Sequence, residues 1–205
     1  MIKLTNSGLG ALALSAFLSL AATSASAEPD VEAGKRLAYT CMGCHGIEGA
    51  RNAYPSYRVP KLGGQRAGYI ETALKAYRAG TRPHPTMQAQ GYSLSDQDIE
   101  DIAAWFQTSE PAEVKVTGDE PGYPEAGQTS LACHGVGGEI VQPTPPVLSG
   151  QYQDYLIHAL NQYKSGVRTG NVMTAFATML SDADIKALAT FYSTRDGVYT
   201  ADKSQ

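Results

Sequence analysis

The sequence predicts an all-α fold made of two tandem copies of one small domain. A shift of 86 positions aligns residues 62–106 with residues 148–192 without a gap, so the 205-residue chain contains an internal repeat. Apolar side chains recur at helical spacing in both copies, and no segment of useful length alternates between apolar and polar residues as a strand does. The aligned pairs include Gln65 with Gln151, Tyr69 with Tyr155, Gly80 with Gly166, Arg82 with Arg168 and Met87 with Met173.

The helices of each copy have recognisable start and stop signals. In residues 69–80 the apolar positions follow the i, i+3, i+4, i+7 spacing of an amphipathic helix, and a glycine ends the pattern. Ser95 and Ser181 each stand three residues before an aspartate, which is typical of a helix N-cap with an acidic first turn. The segments around Met87 and Met173 are dense in Pro, Gly and Asn, and we expect them to be loops.

The first 27 residues have the features of a secretory signal peptide. Lys3 provides the positive start, residues 8–22 form the apolar run, and small residues precede a cleavage site after Ala27. A retained membrane anchor is the alternative, but this run is shorter than the ~20 residues that a membrane span needs. The sequence therefore predicts export to the periplasm and no stable membrane span after cleavage.

The exported chain divides at a segment rich in Pro, Gly and acidic residues. We predict a first domain at 28–108, a linker at 109–122 and a second domain at 123–205. Residues 28–108 contain nine acidic and nine basic side chains, whereas residues 109–205 contain eleven acidic and six basic ones. The pI of 5.5 and the scarcity of basic clusters argue against nucleic-acid binding.

The motif CMGCHG contains Cys41, Cys44 and His45 in the C-x-x-C-H arrangement that attaches a c-type haem. Two thiols on one helical turn can form thioethers with the two vinyl groups at one porphyrin edge. The adjacent histidine is then carried beneath the ring, where it can bind iron. A zinc site or a thioredoxin-like cysteine pair is the alternative, but zinc needs two more ligands and the chain has only three cysteines, with no second pair. This odd number also argues against a disulfide framework.

A methionine in each copy is the candidate for the sixth ligand of the iron. Met87 and Met173 lie at matching positions, each the same distance before a Leu-Ser-Asp helix start. Taken singly, a methionine is more often core filling than a ligand, but the repeat favours ligation. Thioether sulfur raises the reduction potential and fills the coordination site, so the iron would relay electrons rather than catalyse. His84 is the rival ligand in the first copy, whereas His158 is expected to be an ordinary surface histidine.

The second copy departs from the haem motif at its first cysteine. In TSLACHG, Cys133 and His134 fit the pattern, but Ser130 stands where a cysteine belongs, and a hydroxyl cannot replace a thiolate in thioether formation. From the shared Ala-Gly pair to the cysteine beside the histidine there are six residues, against ten in the first copy, so about one helical turn is missing. Three arrangements remain open. They are a haem tethered by Cys133 alone with His134 and Met173 as axial ligands, a non-covalently bound haem, and a haem-free docking domain.

The segment between the first haem motif and the repeat contains Arg51, Arg58 and Lys61. We expect it to be a solvated loop. The alternative is a docking rim, because basic charge beside an exposed haem edge would speed the encounter with an acidic partner.

Together, the signal peptide, the two copies, the early C-x-x-C-H, the late methionine and the LGGQ and LSD segments resemble the di-haem cytochrome c4 family, with tandem class I cytochrome c domains. The resemblance covers essentially the whole exported chain. It implies covalent attachment at Cys41 and Cys44 and axial ligation by His45 with Met87. For the second copy it implies axial ligation by two further residues, His134 and Met173.

The resemblance also implies a function and its partners. Members of the family are periplasmic electron carriers that often feed a terminal oxidase, and the di-haem subunit of sulfide-oxidising flavocytochromes shares the plan. We therefore expect redox partner proteins such as a terminal oxidase, a cytochrome complex or a dehydrogenase. Two alternatives stay open: an electron-accepting subunit of a periplasmic dehydrogenase, and a catalytic cytochrome with an open iron ligand.

Overall fold

The structure is all-α, as the sequence predicts. It is a computed structural model that describes residues 27–108, 122–135 and 145–202. These ranges contain two isolated β-bridges and no β-strand, and none of their helices is both long and apolar enough to cross a membrane. The helices are α1 (Val31–Leu37), α2 (Met42–His45), α3 (Ala67–Ala79), α4 (Pro85–Tyr92), α5 (Asp96–Thr108), a 3₁₀ helix (Glu125–Ser130), α6 (Leu131–His134), α7 (Gln153–Lys164), α8 (Met173–Thr178) and α9 (Asp182–Ser193).

Two predicted segments fall mainly on residues outside these ranges. They are the signal peptide, predicted at 1–27, and the linker, predicted at 109–122. The domain boundaries therefore stay predictions. The repeat itself is visible in the fold, because α3, α4 and α5 are followed in the same order by α7, α8 and α9.

The first half is built on the close crossing of α1 and α5. Gly34 lies at the crossing, where a Cβ atom would stand 2.0 Å from the carbonyl oxygen of Asp101, so only glycine permits this approach. Asp30 caps α1 by accepting hydrogen bonds from the amides of Glu32 and Ala33. Its own amide donates to the carboxylate of Asp101 at 2.9 Å, which ties the start of α1 to α5. The buried core beside this crossing contains Ile99, Ile102, Trp105 and Phe106.

The second half repeats the packing of its two long helices, but its leading helix is of a different kind. A 3₁₀ helix (Glu125–Ser130) stands where the first half has α1, which agrees with the shorter spacing in the sequence. Tyr123 compensates in part, since its ring packs edge-on against Phe191 at 5.0 Å and its hydroxyl donates to the carbonyl of Gly127 at 2.8 Å. The core here is smaller and consists of Leu156, Leu188, Ala189, Phe191 and Tyr192.

Matched hydrogen bonds join the two halves. The Gln65 side chain accepts from the amide of Val147 at 2.9 Å and donates to the same residue's carbonyl at 3.1 Å. Gln151 makes the equivalent pair of bonds with Lys61, both at 3.0 Å. Because Lys61 and Val147 are also one repeat apart, each half contacts the other in the same way.

The basic segment before the repeat is a loop whose residues are mostly exposed or half-buried, as expected, and it also contacts the second half of the chain. Arg51 and Arg58 both pair with Asp154, at 3.1 and 3.0 Å. The Lys61 ammonium lies 4.7 Å from the centre of the Tyr152 ring. Asp154 of the same molecule is therefore an acidic partner of Arg51 and Arg58.

His158 is also part of this junction, contrary to the expectation of an ordinary surface histidine. Its ring stacks on Tyr57 with 3.9 Å between centroids. Burial lowers the pKa of His158 to about 4, helped by the charges of Arg168, His84 and Arg82. His158 is therefore neutral at physiological pH and packs as an aromatic ring.

Both methionine segments are helical, so the prediction that they are loops is wrong. Met87 lies in the first turn of α4, and Met173 is the first residue of α8. Pro85 occupies a first-turn position in α4, where its missing N–H is not needed by the helix. The proline that suggested a loop is in fact a helix start signal.

Candidate haem site

One cavity at the junction brings the predicted site residues of both halves together. Its mostly apolar wall contains Leu62 and Leu74 from the first half and Leu156 and Leu188 from the second. Cys133 is half-buried and does not line the cavity. The other predicted site residues, which all line it, are Cys41, Cys44, His45, Met87, His134 and Met173.

The two histidines are held in the same way. The Nδ1 atom of His45 lies 2.8 Å from the carbonyl oxygen of Pro60, and that of His134 lies 3.3 Å from the carbonyl oxygen of Pro146. Since a carbonyl oxygen only accepts, Nδ1 must carry the proton, and the Nε2 lone pair is left free. Burial lowers the pKa of both histidines, which keeps them neutral. This is the state and orientation that a metal-binding imidazole requires.

The carbonyls that orient these histidines were not predicted from the sequence. Pro60 and Pro146 are one repeat apart, just outside the aligned core that begins at Leu62. Extending the alignment by two residues would have found them. The matched prolines were therefore visible in the repeat. Their role was not, because nothing in the sequence around a proline indicates that its carbonyl orients a histidine.

Cys41 and Cys44 lie on a single helical turn. The amide of His45 donates to the carbonyl of Cys41 at 2.9 Å, which places Cys41, Cys44 and His45 around α2. Met42 is 2% exposed and anchors this turn in the core of the first half. Burial raises the pKa of the Cys41 thiol, whereas the Cys44 side chain is exposed. The turn thus holds two thiols and an imidazole at one edge of the cavity.

His84, the rival ligand, caps the helix that carries Met87. The Met87 amide donates to Nδ1 of His84 at 3.2 Å, and Nε2 of His84 lies 3.1 Å from Oδ1 of Asn52. Both ring nitrogens are therefore engaged within the protein. In the second half the amide of Met173 donates to Oδ1 of Asn171 at 2.9 Å. Each candidate methionine is held through its backbone by a neighbouring polar side chain.

We expect His84→Ala to loosen Met87 without removing the iron ligand. Loss of an N-cap lowers the free energy of unfolding by about 1 kcal/mol, and the weak red absorption band of methionine-ligated ferric haem should fade at lower temperature than in the wild type. His84→Asn should keep the wild-type free energy of unfolding and the wild-type temperature at which the band fades, because asparagine is a good N-cap. Complete loss of the band in both variants at low temperature would instead make His84 a ligand.

The second haem motif is a short turn with a serine on the cavity side. Helix α6 (Leu131–His134) is a single turn, and His134 is 4% exposed. Ser130 lines the cavity, but Cys133 does not. Ser130, at the first cysteine position of the motif, therefore faces the cavity without a thiol. Cys133, at the second position, has a thiol but does not line the cavity.

The donor set fits a haem. Each half contributes an imidazole nitrogen and a thioether sulfur to one apolar cavity, the donor types of an electron-transferring haem iron. Among the described residues, no group of three or more His, Cys, Asp or Glu side chains could hold a metal ion in the way that the alternative zinc site would need.

Comparison with known proteins agrees with the fold and the site. The cytochrome c family model matches residues 31–110 and 130–195. Cytochrome c4 of Azotobacter vinelandii is 31% identical over 194 residues, which covers 82% of this chain and 90% of the relative. The thiosulfate dehydrogenase electron acceptor of Stutzerimonas stutzeri (strain A1501) is 28% identical over 172 residues, covering 76% of this chain and 79% of the relative. The crystal structure of reduced recombinant cytochrome c4 from Pseudomonas stutzeri matches with a TM-score of 0.64 at 29% identity, over 83% of this chain and 100% of that one.

A tandem all-α fold with a C-x-x-C-H turn and paired histidines and methionines around one cavity defines the class of c-type cytochromes. The chain belongs to the cytochrome c family, and it resembles the di-haem cytochrome c4 proteins over most of its length.

Proposed function

We propose that this protein transfers electrons through two haems, one in each half. In the first half, Cys41 and Cys44 would form the thioethers, and His45 and Met87 would be the axial ligands. The observation that carries this assignment is the arrangement of His45, whose Nδ1 proton is held by a backbone carbonyl so that Nε2 is free to bind iron. Met87 lines the same cavity on a capped helix.

In the second half we propose His134 and Met173 as axial ligands and Cys133 as a single covalent tether. His134 has the same carbonyl support as its counterpart, and Met173 lies one repeat from Met87. A haem here would fill an apolar cavity beside a half whose buried core is small. Cys133 adjoins His134 and holds the motif position that Cys44 holds in the first half, so it is the candidate thiol for the covalent bond.

The haem supplies the redox chemistry, a one-electron change at iron. The chain supplies the conditions for it. Two methionines would fill the coordination positions that a substrate or oxygen would need, so the protein acts as a carrier rather than an enzyme. Apolar side chains from both halves form most of the cavity wall.

The test is the native protein matured with its haem. We expect two irons per chain, reversible reduction and oxidation, and no carbon monoxide binding by the reduced protein at neutral pH. Carbon monoxide binding would show an open iron position and would support a catalytic cytochrome instead. An iron-free protein would contradict the proposed function altogether.

A second candidate is an electron-accepting subunit of a periplasmic dehydrogenase. A relative named as a thiosulfate dehydrogenase electron acceptor, similar over 76% of this chain, favours it. Purification from the periplasm distinguishes the two: a free carrier runs at its monomer mass, whereas a subunit copurifies with a dehydrogenase. The same fractionation tests the proposed periplasmic location and cleavage after Ala27.

A further inference from the structure

The second half lacks the link that joins the leading helix of the first half to its partner helix. In the first half, the Asp30 amide donates to the Asp101 carboxylate at 2.9 Å, which connects the start of α1 to α5. The repeat, with its shift of 86 positions, places Ala187 at the position of Asp101. Alanine has no side-chain acceptor, so the same link cannot form in the second half.

Two tyrosines stand where this link is lost. Tyr123 lies four positions before the glycine of the shared Ala-Gly pair, as Asp30 does in the first half. Tyr192 matches Phe106 in the repeat. The hydroxyl oxygens of Tyr123 and Tyr192 lie 3.1 Å apart. The second half therefore joins the start of its leading helix to α9 through two hydroxyl groups that the matching residues of the first half lack.

The matched glycines indicate that Tyr123 acts as a spacer between these helices. A Cβ atom on Gly34 would meet the carbonyl oxygen of Asp101 in α5 at 2.0 Å. A Cβ atom on Gly127 would instead meet the hydroxyl oxygen of Tyr123 at 2.5 Å. The Tyr123 ring packs edge-on against Phe191 of α9, with 5.0 Å between centroids. Where the first glycine meets the backbone of the long helix, the second meets a tyrosine ring that packs on it.

The two hydroxyls also connect both ends of the second haem motif to α9. The Tyr123 hydroxyl donates to the carbonyl of Gly127, ahead of the motif, at 2.8 Å. Because that proton is used, the Tyr192 hydroxyl donates to the oxygen of Tyr123. Its second acceptor is the carbonyl of Gly135, at the longer distance of 3.5 Å. Gly135 directly follows His134, so the turn that carries the candidate iron ligand is held on both sides.

Tyr192 brings this arrangement to the wall of the cavity. It is 3% exposed and lines the cavity together with His134. Its ring packs edge-on against Tyr123 and Phe191, which fixes the direction of its hydroxyl. Burial and the neighbouring Tyr123 hydroxyl raise the pKa of Tyr192, so the proton that it donates stays in place.

We propose that Tyr123 and Tyr192 are positioning residues that hold His134 on the iron of the second haem. They act in place of the second thioether, which Ser130 cannot form. This inference rests on the proposed function. In the first half two covalent bonds would fix the motif turn, whereas the motif of the second half has one cysteine. Hydrogen bonds at both ends of that turn limit its movement, because they tie it to buried rings that pack on α9.

The test is amide hydrogen exchange of the holoprotein, measured by mass spectrometry on peptides that contain residues 127–135. Tyr123→Phe and Tyr192→Phe each remove a hydroxyl and keep the ring. We expect each variant to make exchange in this segment about fivefold faster, since loss of a hydrogen bond favours local opening by about that factor. The ferric second haem should also become partly high-spin on warming, because His134 leaves the iron more often. Residues 41–46 of the first half should exchange at the wild-type rate.

Ser130→Cys separates positioning of the ligand from general stability. A restored thioether would hold the turn covalently, so Tyr192→Phe added to Ser130→Cys should leave exchange in residues 127–135 and the spectrum of the second haem unchanged. Tyr152→Phe is the matched control. Tyr152 is a buried tyrosine of the same half whose hydroxyl bonds to Glu48 and Gly49, and it does not line the cavity.

Three results would overturn the inference. One is exchange in residues 127–135 that the two tyrosine variants change no more than Tyr152→Phe does. Another is equal acceleration in both halves, which would indicate general destabilisation. The last is an effect of Tyr192→Phe that persists in full alongside Ser130→Cys, because the hydroxyl would then support α9 rather than the ligand. Failure of the proposed function looks different, since the wild-type protein would then contain fewer than two irons per chain.

Discussion

Replacement of Met87 by alanine is expected to abolish the weak red absorption band of methionine-ligated ferric haem in the first half. The soft thioether favours reduced iron, so its loss should lower the potential of that centre by on the order of 0.1 V, a part of the ~0.8 V range that axial ligands span. The vacated position should let the reduced protein bind carbon monoxide. Absorption spectra and spectroelectrochemistry measure all three changes.

Met179→Ala is the control for this substitution. Met179 is a methionine with 68% exposure that does not line the cavity. Its variant should keep the wild-type spectrum and potential. If Met87→Ala also left the spectrum unchanged, Met87 would not be a ligand, and the assignment of Met173 by repeat symmetry would lose its basis.

The intact mass of the denatured protein is expected to equal the mature chain plus two haems, and to fall to one haem in Cys133→Ala. A single thioether leaves one vinyl group unsaturated. The reduced pyridine adduct should therefore show a red-shifted band beside that of the first site. Mass spectrometry after denaturation reports covalent attachment directly, because a haem held only by packing and ligation is lost.

Ser130→Cys gives the complementary test. Ser130 already lines the cavity, so a thiol there should complete the motif and remove the red-shifted band while the mass remains that of two haems. A wild-type mass of one haem would sink the single-thioether proposal. Iron per native chain then separates the remaining arrangements: two irons indicate a non-covalent second haem, and one iron makes the second half a docking domain.

Much of the local structure could be predicted from the sequence. The glycine end of α3 is confirmed, with Gly80 in the left-handed conformation, and so is the Ser181 capping box of α9. These features depend on residues within one or two turns of each other. The loops predicted around Met87 and Met173 were wrong. At Met87 a proline was taken as a helix breaker when it stood at a helix start, and at Met173 the glycine and asparagine lie just before the helix begins.

The sequence by itself determined the duplication. It also predicts the haem chemistry of the first half, because C-x-x-C-H places its reactive groups within one turn. Only the tertiary structure decided that the basic segment pairs with Asp154. It also decided that the candidate iron ligands of both halves line one cavity. Covalent spacing and helical periodicity are local properties of a chain. A side chain's partner across the junction depends on how two cores pack. Arg51 and Arg58 lie 103 and 96 positions from Asp154, and their own neighbourhoods in the sequence carry no record of that packing.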